Sequence, residues 1–306
     1  MSEQEWVRCN LCGSSRARLL YASTLPDAAD RPRNIEALQC TNIGYGVHGP
    51  VVRCQACGLV FINPRPNSAD VIHDYEDVVD ERYVEEREGR VLTFERHLRP
   101  LERRAGPPNG KRLLDVGCHI GVFVDVARRH GWDAWGVEPS RWAAEQAQSQ
   151  GLQVVNGTLA SAGLEDASFD IITLWDVIEH VPDPRGDLYH VHRLLKPGGM
   201  VVLHTIDIES PFARLMGRRW PWLMEMHLWY FSPRTLRRML QELGFEVIHS
   251  SPQGRYLRLG YLVSRLQPYS RSIYRLLDAA ITRLNLRGLA VPINLGDLFT
   301  MYARKL

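Results

Sequence analysis

The sequence predicts an α/β fold: an open, mostly parallel sheet of the nucleotide-binding kind, preceded by a small module built on four cysteines. Three observations predict it. First, the apolar run Arg112–Val116, the turn Gly117-Cys118-His119-Ile120-Gly121, a helical pattern with Val122, Phe123, Val126 and Ala127 on one face, and a second apolar run ending at Glu138 spell strand, tight turn, helix, strand. Second, apolar runs and helical patterns go on alternating towards the C-terminus, the signature of a sheet covered by helices. Third, two C-x-x-C pairs, Cys9/Cys12 and Cys54/Cys57, each followed by a glycine, stand ahead of that region.

Residues 1–66 hold the two knuckles. At 306 residues, with an N-terminus that lacks the basic and apolar regions of a signal peptide, the chain is expected to be cytoplasmic with reduced thiols. Paired knuckles then read as a four-thiolate tetrahedral zinc site formed by Cys9, Cys12, Cys54 and Cys57; bound iron and a redox pair are the alternatives. Cys40 and Cys118 are left over as small free residues. A module this small makes little core of its own, so metal would supply its stability and chelation would unfold it first.

Residues 67–110 are a charged helical connector or lid. Asn67 or Ser68 caps a first helix, a second is expected from Val84 to Arg104, and Gly106-Pro107-Pro108-Asn109-Gly110 breaks it. Residues 111–306 carry the sheet. Ser140 caps and Gly151 ends the next helix, Gln153–Asn156 is a third strand, and Phe169–Leu174 a fourth. Asp183-Pro184 caps a helix with Leu188, Val191 and Leu195 on its inner face, Pro197-Gly198-Gly199 stops it, and Met200–Thr205 is the fifth strand. An aromatic insertion, 207–231, follows on the side where ligands of open sheets bind. Ser232-Pro233 opens a helix with Leu236, Met239, Leu240 and Leu243 at helical spacing, and Phe245–His249 is the sixth strand.

A second insertion, 253–292, is expected to be helical and basic. Its stripe of Ile273, Leu276, Leu277, Ala280, Ile281 and Leu284 would pack on the core, meet a second subunit, or lie on an anionic membrane surface. Asp297–Arg304 is the seventh strand. Overall, 45% apolar and 24% charged residues with a formal net charge of +2 describe an ordinary globular chain and argue against a polyanionic partner such as nucleic acid. No apolar run approaches the ~18 residues of a membrane span.

The glycine spacing Gly117-x-x-x-Gly121 after Asp115 differs from the G-x-G-x-x-G of dinucleotide domains, which points to a nucleoside without phosphates. Glu138, at the tip of the second strand, suits a carboxylate that accepts both hydroxyls of a ribose. With Phe169–Val181 and Leu194-Leu195-Lys196-Pro197-Gly198-Gly199 further on, these motifs resemble, in order, those of class I S-adenosylmethionine-dependent methyltransferases. The resemblance implies a seven-stranded Rossmann-like sheet with its last strand antiparallel, and S-adenosylmethionine as cofactor. It implies that Asp115, Gly117, Cys118 and Gly121 hold the methionine portion and Glu138 the ribose, with Asp176 beside them. N-terminal helices cover the cofactor in that family, a role open to Tyr75, Tyr83 and the helix around Arg90. Two positions depart from the pattern. His119 stands where glycine is common, and Thr158 where an aspartate often meets the adenine, leaving that contact to the backbone near Leu159 and to Trp175.

A sulfonium leaving group needs no acid. The protein must place the acceptor in line, worth roughly 7–11 kcal/mol of barrier, and supply a base where the acceptor carries a proton. Candidates are His227, with Glu225 two residues before it, and His180; for both histidines a structural hydrogen bond is the competing reading. A four-cysteine module ahead of such a domain is also similar to bacterial sugar C-methyltransferases, whose Tyr-His-Glu-His run is here Met224-Glu225-Met226-His227. The expected activity is methylation, on O, N or C, of a small molecule such as a sugar nucleotide or a glycan or lipid precursor. The alternatives are an RNA methyltransferase that clamps RNA with the zinc module, and a protein that binds S-adenosylmethionine without turnover.

Overall fold

The computed structural model describes residues 4–25 and 34–306. The described residues of the N-terminal module contain five short strands: β1 (Gln4–Glu5), β2 (Ala17–Tyr21), β3 (Val51–Cys54), β4 (Val60–Ile62) and β5 (Arg65–Pro66). Three helices follow: α1 (Ser68–Glu76), capped by Asn67; α2 (Glu81–Glu85), capped by Asp80; and α3 (Arg87–Ala105). The single helix expected from Val84 to Arg104 is thus broken at Glu86, where α2 ends and α3 starts.

The sheet region is built from β6 (Arg112–Val116), α4 (Val122–Arg129), β7 (Asp133–Glu138), α5 (Arg141–Ser149), β8 (Gln153–Asn156), β9 (Phe169–Trp175), α6 (Pro184–Leu194) and β10 (Leu195–Ile206). Next come α7 (Pro211–Met216), β11 (Trp229–Tyr230), α8 (Pro233–Glu242), β12 (Phe245–Pro252), β13 (Arg255–Arg258), α9 (Leu259–Ser264), α10 (Arg271–Arg283), β14 (Ala290–Ile293) and β15 (Leu298–Lys305). Seven strands form one sheet in the order β12-β15-β10-β9-β6-β7-β8. β15 runs antiparallel to both neighbours, and the other pairings are parallel. The seven-stranded, mostly parallel expectation is met. Leu195 begins β10 instead of closing α6, and the Pro197-Gly198-Gly199 stop lies within a register shift between Leu195 and Met200.

Strands covered on both faces read as continuous apolar runs, and Leu113, Leu114, Ile172, Leu174, Val201, Val202 and Leu203 are fully buried. The chain order along the sheet reverses between β6 and β9, so the crevice above their carboxyl ends is the place this architecture offers a ligand.

The four-cysteine module is not a separate body. β11, from the aromatic insertion, pairs with β4 to give a sheet ordered β11-β4-β3-β2. Cys9, Leu11, Cys54, Cys57, Leu59 and Phe61 share one core with Trp229, Phe231 and the α8 residues Leu236, Met239 and Leu240. The first knuckle also holds α6: Asn10 donates to Asp183 at 2.7 Å and accepts from the Arg185 N–H at 2.8 Å. The premise of a module with little core therefore gives way to one whose core belongs to both parts.

The second insertion is not purely helical, since β13 and β14 pair as an antiparallel ribbon. Its stripe does not pack on the core either. Ile281 is buried, but Ile273 and Leu276 are 53% and 72% exposed and Leu284 is 65% exposed.

Trp229 joins the two parts most directly. It is fully buried against Phe61, with its indole N–H donating to the Val181 carbonyl at 2.8 Å. Trp229→Ala is expected to cost about 3–5 kcal/mol of unfolding free energy, read from urea denaturation; a loss below about 1 kcal/mol would mean that this junction bears little of the fold.

Candidate functional site

The turn after β6 is shaped by backbone geometry. Gly117 has φ +66°, and a Cβ there would lie 2.7 Å from Val177 Cγ2. Gly121 has φ +75°, and a Cβ there would run into Leu152 Cδ1 and press on Ala147 of α5, so this glycine is required by the packing of α4 and α5. His119, between them, adopts φ +52°, so the turn accommodates a Cβ at that point.

Glu138 ends β7 with its carboxylate gripped by the chain. One oxygen accepts the His119 N–H at 2.7 Å and the other the Ser140 N–H at 2.9 Å. Burial pushes this carboxyl up to about 7, against the pull of those two donors. Asp115, one strand over, accepts from the Thr173 hydroxyl at 2.6 Å, and burial, with the nearby Glu138, holds it at about 8.

The N-terminal helices close over this corner. The Tyr83 ring stacks on His119 at 3.6 Å, the Arg90 guanidinium lies 3.5 Å from the Tyr83 ring centre, and Ser140 Oγ donates to the Val78 carbonyl at 2.8 Å. Cys118 is buried, with its Sγ 3.6 Å from the His119 carbonyl. Thr158 turns inward on its own loop, its N–H donating to Ser161 Oγ at 2.9 Å. Leu159 and Trp175 fall on opposite faces of the sheet. Leu159 packs in the core with Val116 and Leu174, whereas the Trp175 indole packs against Phe94, Phe123 and His97 with its N–H buried and unpartnered.

A cavity of about 380 Å³ opens beside the turn, between α3, the 207–231 segment, β13 and α9. Of the expected cofactor residues, Gly117, Trp175 and Asp176 line it, as do His119 and Arg90. Asp176 sits at φ +55° with its carboxylate 3.1 Å from the Arg255 guanidinium. Burial would raise the Asp176 carboxyl, but Arg255 and the surrounding histidines outweigh it and hold it low.

Both candidate histidines face the cavity. His227 Nδ1 lies 2.7 Å from the Trp222 carbonyl, so Nδ1 carries the proton and Nε2 keeps its lone pair. Burial drives His227 down to about 3 and His180 to about 4. Their ring centres are 4.8 Å apart, and His180 Nδ1 lies near both the Tyr75 hydroxyl, at 3.2 Å, and the Met226 carbonyl, at 3.1 Å. Glu225 is half-buried and does not line the cavity, although its neighbours Met224 and Met226 do. The carboxyl group beside the histidines is instead Glu179, almost fully buried and pushed up to about 8 by burial and by Asp176. Ligand-type atoms of Glu179, His180 and His227 lie within 4.8 Å of one another.

Sequence reasoning missed Glu179 and Arg255. Glu179 sits in the quoted fourth-strand motif, next to the histidine that drew attention. Arg255 was one of many arginines in an insertion, and nothing local marks it as the partner of Asp176, 79 residues away.

The four cysteine sulfurs also lie within 4.8 Å of one another. Cys9 and Cys57 are 3.4 Å apart and Cys12 and Cys54 3.6 Å. Those separations are far longer than a disulfide's ~2.05 Å and close to the ~3.8 Å edge of a tetrahedron with 2.3 Å metal–sulfur bonds. Both knuckles turn alike, with the Gly13 N–H donating to the Cys9 carbonyl and the Gly58 N–H to that of Cys54. Burial would raise the Cys54 thiol, but backbone N–H groups of Cys57 and Ala56 bring it down to about 7. The donor set fits a structural metal ion.

Residues 83–250 match a family model described as a methyltransferase domain. The ubiquinone biosynthesis O-methyltransferase of Aeromonas salmonicida is 30% identical over 193 residues, covering 54% of this chain and 80% of the relative. The enzyme of the same description from Klebsiella pneumoniae is 35% identical over 114 residues, and there the match spans about half of the relative, 47%. An S-adenosylmethionine-dependent methyltransferase from Thermotoga maritima shares the fold, with TM-score 0.50 and 21% identity over 74% of this chain and 94% of its own. The chain belongs to the methyltransferase-domain family. It is an S-adenosylmethionine-dependent methyltransferase of class I. The matched span starts at Tyr83, inside the segment expected to be a connector, and ends before the second insertion.

Proposed function

We propose that this enzyme methylates a hydroxyl oxygen of a small, largely apolar acceptor held in the cavity beside the β9 and β10 tips. The observation that carries the reading is His227: neutral, with Nδ1–H tied to the Trp222 carbonyl, it can offer Nε2 to an acceptor proton. The acceptor oxygen would attack the methyl carbon as the carbon–sulfur bond breaks, S-adenosylhomocysteine would leave neutral, and the hydroxyl proton would pass to Nε2. The low-lying Asp176 carboxylate would stabilise the resulting imidazolium.

Apolar and aromatic lining from Phe212, Trp222, Met226, Tyr256 and Leu262 favours a lipid precursor or an aromatic alcohol over a sugar nucleotide. The O-methyltransferase description of the relatives supports oxygen as the acceptor atom. On the cofactor side, Glu138 is assigned to the ribose and Gly117 to the close backbone approach. Asp115 and Cys118 would support the turn from beneath, Gly121 from the α4–α5 packing, and Thr158 and Leu159 would border the adenine. Arg90 would reach the methionine carboxylate from α3. Cys9, Cys12, Cys54 and Cys57 would hold zinc as a structural ion.

Three outcomes are expected. His227→Gln should lower kcat by about 10²–10⁴-fold with S-adenosylmethionine affinity within about twofold of wild type, followed by S-adenosylhomocysteine release with a panel of hydroxylated amphiphiles; full turnover would end the assignment. Because the Glu138 carboxyl is raised to about 7, it is charged above that pH and neutral below it. Cofactor affinity measured by calorimetry should therefore rise with pH through 7, by at most about tenfold per unit, and Glu138→Gln should bind weakly with a flatter profile. Metal analysis of fresh protein should find one zinc, and chelation should lower the thermal midpoint of the whole chain in a single transition, since β4 and β11 share a sheet. A metal-free protein, or an unchanged midpoint, would remove the zinc assignment.

A further inference from the structure

The second insertion carries large apolar side chains that nothing among the described residues covers. Along α10 and at its C-cap, Ile273, Leu276, Leu277 and Leu284 are 53%, 72%, 37% and 65% exposed, while Ile281 is the buried residue of the helix. Tyr269 before the helix and Leu289 and Leu295 after it add 49%, 51% and 54% exposure. An apolar stripe of this kind on an ordinary surface helix faces the core. Here it faces out.

Cations flank the stripe. Arg271, Arg275 and Arg283 are exposed and take part in no ion pair among the described residues, whereas Arg287 is held by Asp278. From Pro252 to the C-terminus there are nine arginines and lysines and only two acidic residues, although the whole chain is nearly neutral at +2. Of these, Arg255 and Arg258 are held by Asp176 and Glu86, and Arg304 and Lys305 lie on β15, so the cations beside the stripe are Arg271, Arg275 and Arg283.

The surface is also continuous with the acceptor cavity. Tyr269 and Leu295, both exposed, line it together with the half-buried Leu257, Leu262, Leu266 and Ile293. α9 is braced by the Arg265 guanidinium, which lies over the rings of Tyr45 and Tyr261, and by the stacking of Tyr45 on Tyr269.

We propose that α10 and the segments flanking it form a docking surface for an anionic lipid bilayer, and that docking sets the mouth of the acceptor cavity on the membrane surface. No helix among the described residues is long and apolar enough to cross a membrane, so the contact is interfacial. The leucines enter the acyl boundary while the unpaired arginines meet lipid phosphates. A flat protein partner would match the leucines, but charge complementarity across an unpaired arginine rim favours an anionic lipid surface. This deepens the apolar-acceptor reading by giving such a molecule a way in. The test below needs neither cofactor nor acceptor, so the two can fail separately.

Sedimentation of the full chain with vesicles checks it. Wild type should pellet with equimolar phosphatidylcholine and phosphatidylglycerol, bind phosphatidylcholine alone at least tenfold more weakly, and be released by salt. Leu276→Glu combined with Leu284→Glu should weaken binding at least tenfold, as should Arg275→Glu combined with Arg283→Glu, each leaving S-adenosylmethionine affinity unchanged. All four positions are exposed, so the fold should tolerate the changes. The proposal is overturned if wild type stays in the supernatant with the anionic vesicles at low salt, or if the variants bind as wild type does. It is equally overturned if the free protein is a dimer that the leucine substitutions dissolve, which would give this face to a second copy of the chain.

Discussion

The arrangement of the cofactor corner depends on one buried carboxylate. Glu138 is held at both oxygens by main-chain donors, one from the turn after β6 and one from the start of α5. Those two hydrogen bonds fix the second strand's tip against the first strand's turn, and they offset a charge that burial alone would neutralise. The turn can present its donor to Glu138 because Gly117 takes a conformation that brings its backbone against Val177, leaving no space for a side chain.

Around that corner the acceptor side is assembled from both ends of the chain. The four-cysteine module contributes the strand on which β11 pairs, and β11 follows the segment bearing His227. Asp297, buried just before β15, accepts both the Trp220 and Trp222 indole N–H groups at 3.0 and 2.9 Å, and the Trp222 carbonyl in turn orients His227. A module that looks like an appendage in the sequence is therefore part of the wall that positions a catalytic candidate. Metal bound by its four thiolates would stabilise that wall as well as the module itself.

What the sequence disclosed follows from how far apart the interacting residues lie. The turn, the Glu138 strand tip and each knuckle are local, so spacing alone marks their positions, whereas the antiparallel course of the seventh strand, which the sheet shows, was implied by the family resemblance. The pairing of Asp176 with Arg255 and the approach of Glu179 to His227 are made by tertiary packing, and no local pattern reports them. Glu225 is grouped with His227 in the sequence because it lies two residues before it; its own neighbours, Met224 and Met226, face the cavity in its stead. The α10 stripe shows a further limit. Helical periodicity says that one face is apolar, and a buried face and a surface meant for a partner obey the same period. Leu195 and the break at Glu86 are boundary errors of a residue or two, the scale on which helix ends ordinarily differ.

On the proposed reading, the nucleoside would lie across the β6 and β7 tips on Glu138, with its sulfur pointing towards His227. A crystal structure with S-adenosylhomocysteine tests it most directly. The account predicts both ribose hydroxyls within about 3 Å of the Glu138 carboxylate and the sulfur at the end of the cavity shared by His180 and His227. Ribose bound away from Glu138, or a sulfur turned away from those histidines, would contradict it.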